Sequence, residues 1–215
     1  MIRSTLRTAA LAALIGAALP AHAVVSTFDT DAEGWTAAGD IEGPLTWTAT
    51  GGNPAGHVLI DDLTTGGVTY FVAPLAFLGN KSGALGTDLT FDLMQVYPGG
   101  ANQFVSPDVL LQGNGLTLAF DTPVNPGNGT WTSYVVPLTA TGWKLNSLSG
   151  AAATSEQFAS VLASLTSLKI RAEYQTGADV GHLDNVALVP EPATNAMILL
   201  GLAGVALAAR RRIAR

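Results

Sequence analysis

The sequence predicts an all-β fold, a jelly-roll sandwich of two antiparallel sheets with one short helix, followed by a C-terminal transmembrane helix. Three observations predict it. Short segments alternate apolar and polar residues with period two, as half-buried strands do. Gly- and Pro-rich turns punctuate them, which suits a sandwich of many short strands. Thr194–Ala209 is then an uncharged run of 16 residues closed by Arg210, Arg211, Arg212 and Arg215.

Taken in chain order, the less regular strand candidates are Leu45–Ala49, His57–Asp61, Val68–Val72, Trp131–Pro137 and His182–Val189. Three segments alternate cleanly. Leu89, Phe91 and Leu93 interleave with Asp88, Thr90 and Asp92; Leu116, Leu118 and Phe120 with Thr117 and Ala119; Leu168, Ile170, Ala172 and Tyr174 with Lys169, Arg171 and Glu173. Each pattern predicts one buried and one polar face. Turn signals separate the strands at Gly51-Gly52-Asn53-Pro54, Gly66-Gly67, Pro98-Gly99-Gly100, Gly113-Asn114-Gly115 and Asn125–Gly129. One stretch is helical: Thr154 and Gln157 have capping-box spacing, and Phe158, Val161, Leu162 and Leu165 follow at helical intervals.

The two ends read as sorting segments. Arg3 and Arg7 precede the apolar run Ala9–Leu19, and Ala21-His22-Ala23 supplies small residues for cleavage, the layout of a signal peptide over residues 1–23. At the other end, Pro190-Glu191-Pro192 breaks the chain ahead of Thr194–Ala209. Sixteen helical residues rise roughly 24 Å, a short span whose flanking polar groups reach the interfaces. The terminal arginines set its orientation, with the basic tail cytoplasmic and the preceding domain exported. The chain thus divides into 1–23, a domain over 24–189, and a sorting segment over 190–215.

Between the ends lie four basic and 15 acidic side chains, a net charge of −11. So acidic a domain is a poor partner for nucleic acid. Without cysteine, disulfides, thiolate catalysis and Cys-ligated zinc are excluded. No G-x-S-x-G nucleophile turn occurs, and Asp61-Asp62 are neighbours that a strand points to opposite faces. No catalytic residue is assigned and no enzyme is expected. His57 and His182 read as surface polar residues.

Two resemblances add to this. Pro190-Glu191-Pro192, the apolar run and the arginines resemble a PEP-CTERM sorting segment. That implies an exosortase-type processing enzyme as partner, a transient inner-membrane anchor, and a surface or matrix destination in an exopolysaccharide-producing Gram-negative bacterium. In the middle, Phe28–Trp35 opens the domain; Leu165–Tyr174, Gly177 and Leu183-Asp184-Asn185-Val186 close it. This order is similar to the laminin B (laminin IV) module and, through it, to galactose-binding-like jelly rolls. The resemblance implies Ca²⁺ held by Asp184 with Asp29 and Asp31; the plain reading is that Asp184 takes backbone hydrogen bonds and Asp29 caps a turn. Trp35, Trp47, Trp131 and Trp143 read either as core or as a sugar-stacking platform, with Trp143, between Gly142 and Lys144, expected to be the exposed one. The expected function is a non-enzymatic surface or matrix protein that binds or organises extracellular polysaccharide. Alternatives are a structural or adhesion protein with a protein partner and, last, a polysaccharide-active enzyme.

Overall fold

A computed structural model describes residues 23–40, 43–62 and 66–188. The signal-peptide segment, Pro190-Glu191-Pro192, the Thr194–Ala209 run and Arg210, Arg211, Arg212 and Arg215 lie outside the described residues. Among the described residues no helix is long and apolar enough to cross a membrane.

The domain is all-β: among the described residues 12 strands form two antiparallel sheets, with one α-helix. In the first sheet the order is β3 (Thr46–Thr48), β4 (His57–Asp62), β12 (Asp179–Leu188), β6 (Asp88–Val96) and β9 (Thr132–Pro137). Strand β1 (Val24–Ser26) continues along β12 where β4 stops, pairing Val24–Ser26 with Leu188–Val186. The second sheet runs β10 (Lys144–Leu145), β8 (Leu116–Phe120), β7 (Val109–Gly113), β11 (Leu165–Arg171), β5 (Tyr70–Val72) and β2 (Thr36–Ala38).

Alternation decides what each sheet turns inward. Leu89, Phe91 and Leu93 on β6 meet Val58 and Ile60 on β4, Tyr134 and Val136 on β9, and Leu183 on β12. Val109 and Leu111, Leu118, Leu168 and Ile170, and Phe71 face them from the other sheet. The helix α1 (Ser155–Ala163) packs against β7 and β8 through Phe158, Val161 and Leu162. Its capping box is complete: Gln157 N donates to Thr154 Oγ1 at 3.2 Å, and Thr154 N donates to Gln157 Oε1 at 2.9 Å.

One expected polar face is covered. Arg171 is 1 % exposed and Glu173 is buried, although both alternate with core residues. The segment 102–108 lies over them: Phe104 N donates to Tyr174 O, and Asn102 N to Gln175 Oε1. Arg171 lies between the Phe104 and Tyr174 rings, 4.5 and 4.3 Å from their centroids. Its Nη1 is 3.4 Å from Asp108 Oδ1, while Nε, Nη1 and Nη2 donate to the carbonyls of Glu173, Ser106 and Phe104. Burial pushes the carboxyl of Glu173 up to about 7, and the charge of Asp62 adds to that. Asp179 is pushed up to about 6, mainly by burial and against the N–H bonds it accepts from Tyr174 and Gln175.

Candidate functional site

The outer face of the first sheet gathers the polar and aromatic side chains that its inner face cannot hold. Asp184 on β12 stands directly opposite Asp92 on β6, an arrangement of like charges that costs stability unless donors lie between them. Two asparagines supply those donors. A bulge between Asp184 and Ala187 puts Asn185 at φ 51°, a left-handed conformation that asparagine tolerates, and turns its amide toward Asp92. Asn185 Nδ2 donates to Asp92 Oδ2 at 2.9 Å, and Asn53 Nδ2 donates to the same oxygen at 3.1 Å. Asp184 accepts from Asn53 N at 2.6 Å and Asn185 N at 2.7 Å. Burial raises the Asp184 pKa, these N–H bonds oppose the rise, and the charges of Asp92 and Asp29 add to it.

This network pins the Gly51–Gly56 turn onto the sheet. Asn185 Nδ2 also donates to Asn53 O. A Cβ at Gly52 would lie 2.3 Å from Gly56 O and 2.7 Å from Asp184 Oδ2, so only glycine lets the turn approach. The turn in turn holds Trp131, whose Nε1 donates to Gly51 O at 3.1 Å. Trp131 is half-buried and meets His57 and His182 edge to face, at 5.5 and 6.2 Å between ring centroids. His57 Nε2 and His182 Nδ1 are 2.9 Å apart. Burial pushes His182 down to about 4, aided by the neighbouring His57, so His182 is neutral at neutral pH; burial lowers His57 as well. Val96 and Val135 extend the same face and are 42 and 64 % exposed. At its β12 and β6 end a hollow of about 360 Å³ opens between Asp61, Val96, Tyr97, Pro98 and Val180.

Trp143 is not part of this surface. It is 0 % exposed, packs on Phe120 and Phe158, and donates from Nε1 to Pro137 O at 2.9 Å. The expectation of an exposed Trp143 is corrected: Gly142 turns the chain so that the indole enters the core. Trp35 is also buried, bonded to Ser26 Oγ, and Trp47 donates to Phe28 O. Trp131 is the tryptophan on the outer face.

Asp29, Asp31 and Asp184 each have local partners. Asp29 Oδ2 accepts from Thr27 Oγ1, and Asp31 Oδ1 from Glu33 N. Among the described residues no group of three or more His, Asp or Glu side chains is placed to hold a metal ion. Each oxygen of Asp184 accepts one backbone N–H, Oδ2 from Asn53 and Oδ1 from Asn185. The sequence signals for the platform were the Gly-Gly-Asn-Pro turn and the two histidines; their meeting depends on a register that no local pattern encodes.

A two-sheet jelly roll with a pinned turn over one sheet face defines a β-sandwich module. The chain belongs to the Laminin B (Domain IV) family, which it matches over residues 70–195. Residues 188–212 match the PEP-CTERM protein-sorting motif. Laminin subunit gamma-1 of Danio rerio is 32 % identical over 177 residues, 78 % of this chain and 10 % of the relative. The chain thus spans about a tenth of that relative's length. Among solved structures, the L4b domain of human laminin alpha-2 superposes with a TM-score of 0.59 at 17 % identity, covering 80 % of this chain and 98 % of that domain. A family 11 carbohydrate-binding module from Clostridium thermocellum, in complex with a β-1,3-1,4-mixed-linked tetrasaccharide, gives 0.51 at 15 % identity, covering 81 and 98 %. Both likenesses concern the fold.

Proposed function

We propose that this protein is a non-enzymatic, exported surface or matrix protein that binds extracellular polysaccharide on the outer face of its first sheet. The observation that carries the reading is the half-buried Trp131, held by Gly51 O and against the His57 and His182 imidazoles on the outer face of the first sheet. An indole face stacks on the apolar face of a pyranose, and neighbouring polar groups fix its orientation. That a carbohydrate-binding module of this fold was solved with a bound tetrasaccharide supports the reading. The test is a glycan array probed with the full-length chain. A saturable signal on a polysaccharide class is the expected result; silence across the array would overturn it. The second reading, a protein partner, is favoured by exposed Val96 and Val135 on the same face. Silence on glycans together with capture of a matrix protein would support it.

The sorting motif supports export, anchoring by the C-terminal segment and processing by an exosortase-type enzyme near Pro190-Glu191-Pro192. Mass spectrometry of the exported form is expected to find no peptide from Met197 to Arg215. An intact C-terminus on that form would defeat the processing step.

Calcium would have to displace the N–H groups now on Asp184. Melting of the full-length chain with millimolar Ca²⁺ and with chelator measures this. A rise with Ca²⁺ that Asp184→Ala removes would establish the exchange, since a ligand at a hundredfold excess over its Kd adds roughly 2.7 kcal/mol. Identical curves would rule it out.

A further inference from the structure

We infer that His57 Nε2 and His182 Nδ1 form a two-nitrogen site for a divalent transition-metal ion, and that Cu²⁺ is the ion they fit best. Both histidines sit on strands of one sheet: His182 on β12 pairs with Leu59 on β4, and His57 lies two residues before Leu59 on the same face. The rigid ladder therefore holds the two imidazoles with their nitrogens facing, 2.9 Å apart. With metal–nitrogen bonds of about 2.0 Å, nitrogens at this spacing subtend about 90° at the metal. That is the angle between neighbouring ligands in a square-planar or tetragonal site, the geometry of Cu²⁺ and Ni²⁺. A tetrahedral Zn²⁺ would spread them to about 3.3 Å. Between Cu²⁺ and Ni²⁺, the general order of affinities favours copper.

The surroundings point the same way. Asp184 and Asp92, two residues further along β12 and β6, add negative charge that favours a cation. His57 Nδ1 is buried, so its Nε2 is the nitrogen turned to the pair. The Trp131 ring closes one side against both imidazoles. Because no third His, Asp or Glu converges among the described residues, the remaining coordination positions fall to water or an incoming donor.

The inference is independent of the polysaccharide reading, because its test contains no glycan. The full-length chain in detergent is titrated with CuCl₂ at neutral pH, with tryptophan fluorescence and electron paramagnetic resonance as readouts. The expected result is one saturable Cu²⁺ per chain, quenching of a tryptophan component, and hyperfine coupling to two equatorial nitrogens. His57→Gln and His182→Gln should each weaken binding about tenfold or more. Trp131→Phe should keep the stoichiometry and lose most of the quenching. Since His57 is buried, His182→Gln on its half-buried neighbour gives a variant less exposed to folding defects, and the nitrogen count on the parent needs no variant at all. Cu²⁺ bound with parental affinity by the double variant, or a spectrum without two nitrogen couplings, would leave only a hydrogen-bonded imidazole pair and overturn the site.

Discussion

Arg171→Met is expected to cost about 3–5 kcal/mol of folding stability, the usual consequence of removing one partner from a buried ion pair. The guanidinium donates to three backbone carbonyls and to Asp108, between two aromatic rings. Methionine refills much of the volume but supplies no donor. Three carbonyls and the Asp108 carboxylate are then left in a space closed to water, and each buried polar group without a partner costs about 1–3 kcal/mol. Asp108 keeps its bonds from Thr122 N at 2.8 Å and Thr122 Oγ1 at 2.5 Å, which limits the loss on the acid side. Asp108→Asn in the same background removes the stranded charge and is expected to recover part of the deficit, a coupling that a double-mutant cycle isolates. Urea unfolding of the four proteins measures it. A loss below about 1 kcal/mol for Arg171→Met, the range of exposed pairs, would mean that water reaches the guanidinium and that the 102–108 segment is no lid.

That arginine also marks where the sequence stops being legible. Its neighbours Leu168 and Ile170 turn inward as the pattern predicts, because period-two alternation is a property of the strand alone. Alternation predicts solvent on the opposite face, yet whether solvent is there depends on a loop about 65 residues away, which alternation does not record. The helix shows the contrary case: Thr154 and Gln157 are three apart, their hydrogen bonds are local, and the capping box follows from spacing. Asp184 sits at a junction of chain segments, with hydrogen bonds from Asn53 and Asn185 and the charge of Asp29 close enough to act on it. The bulge that turns Asn185 toward Asp92 decides this, and a bulge of one residue is invisible in composition. The four tryptophans were legible as a set and not individually. Each lies in or beside a strand, and which side of a sheet a ring takes is a matter of register.

Two of those tryptophans make the sharpest test of the binding face, because the same substitution should give opposite results. Trp143 fills the core against Phe120 and Phe158, so Trp143→Ala leaves a large cavity and a carbonyl at Pro137 without its donor. The expected cost is about 3–5 kcal/mol, a large part of the stability of a domain this size. Trp131 is half-buried on the outer face, held by one hydrogen bond to Gly51 and by edge contacts with two imidazoles. Its removal opens no enclosed cavity, and the Gly51–Gly56 turn keeps its bonds to Asp184 and Asp92 through Asn53. Trp131→Ala is therefore expected to cost less than about 1.5 kcal/mol in stability while losing about 2 kcal/mol or more of glycan binding, some thirtyfold in affinity. Binding measured on the polysaccharide class found by the array, beside thermal melting of each variant, separates the two effects. Trp131→Phe should keep part of the affinity, since a smaller ring still stacks. Parental affinity in Trp131→Ala, with the fold intact, would remove the outer face of the first sheet from consideration as the polysaccharide site.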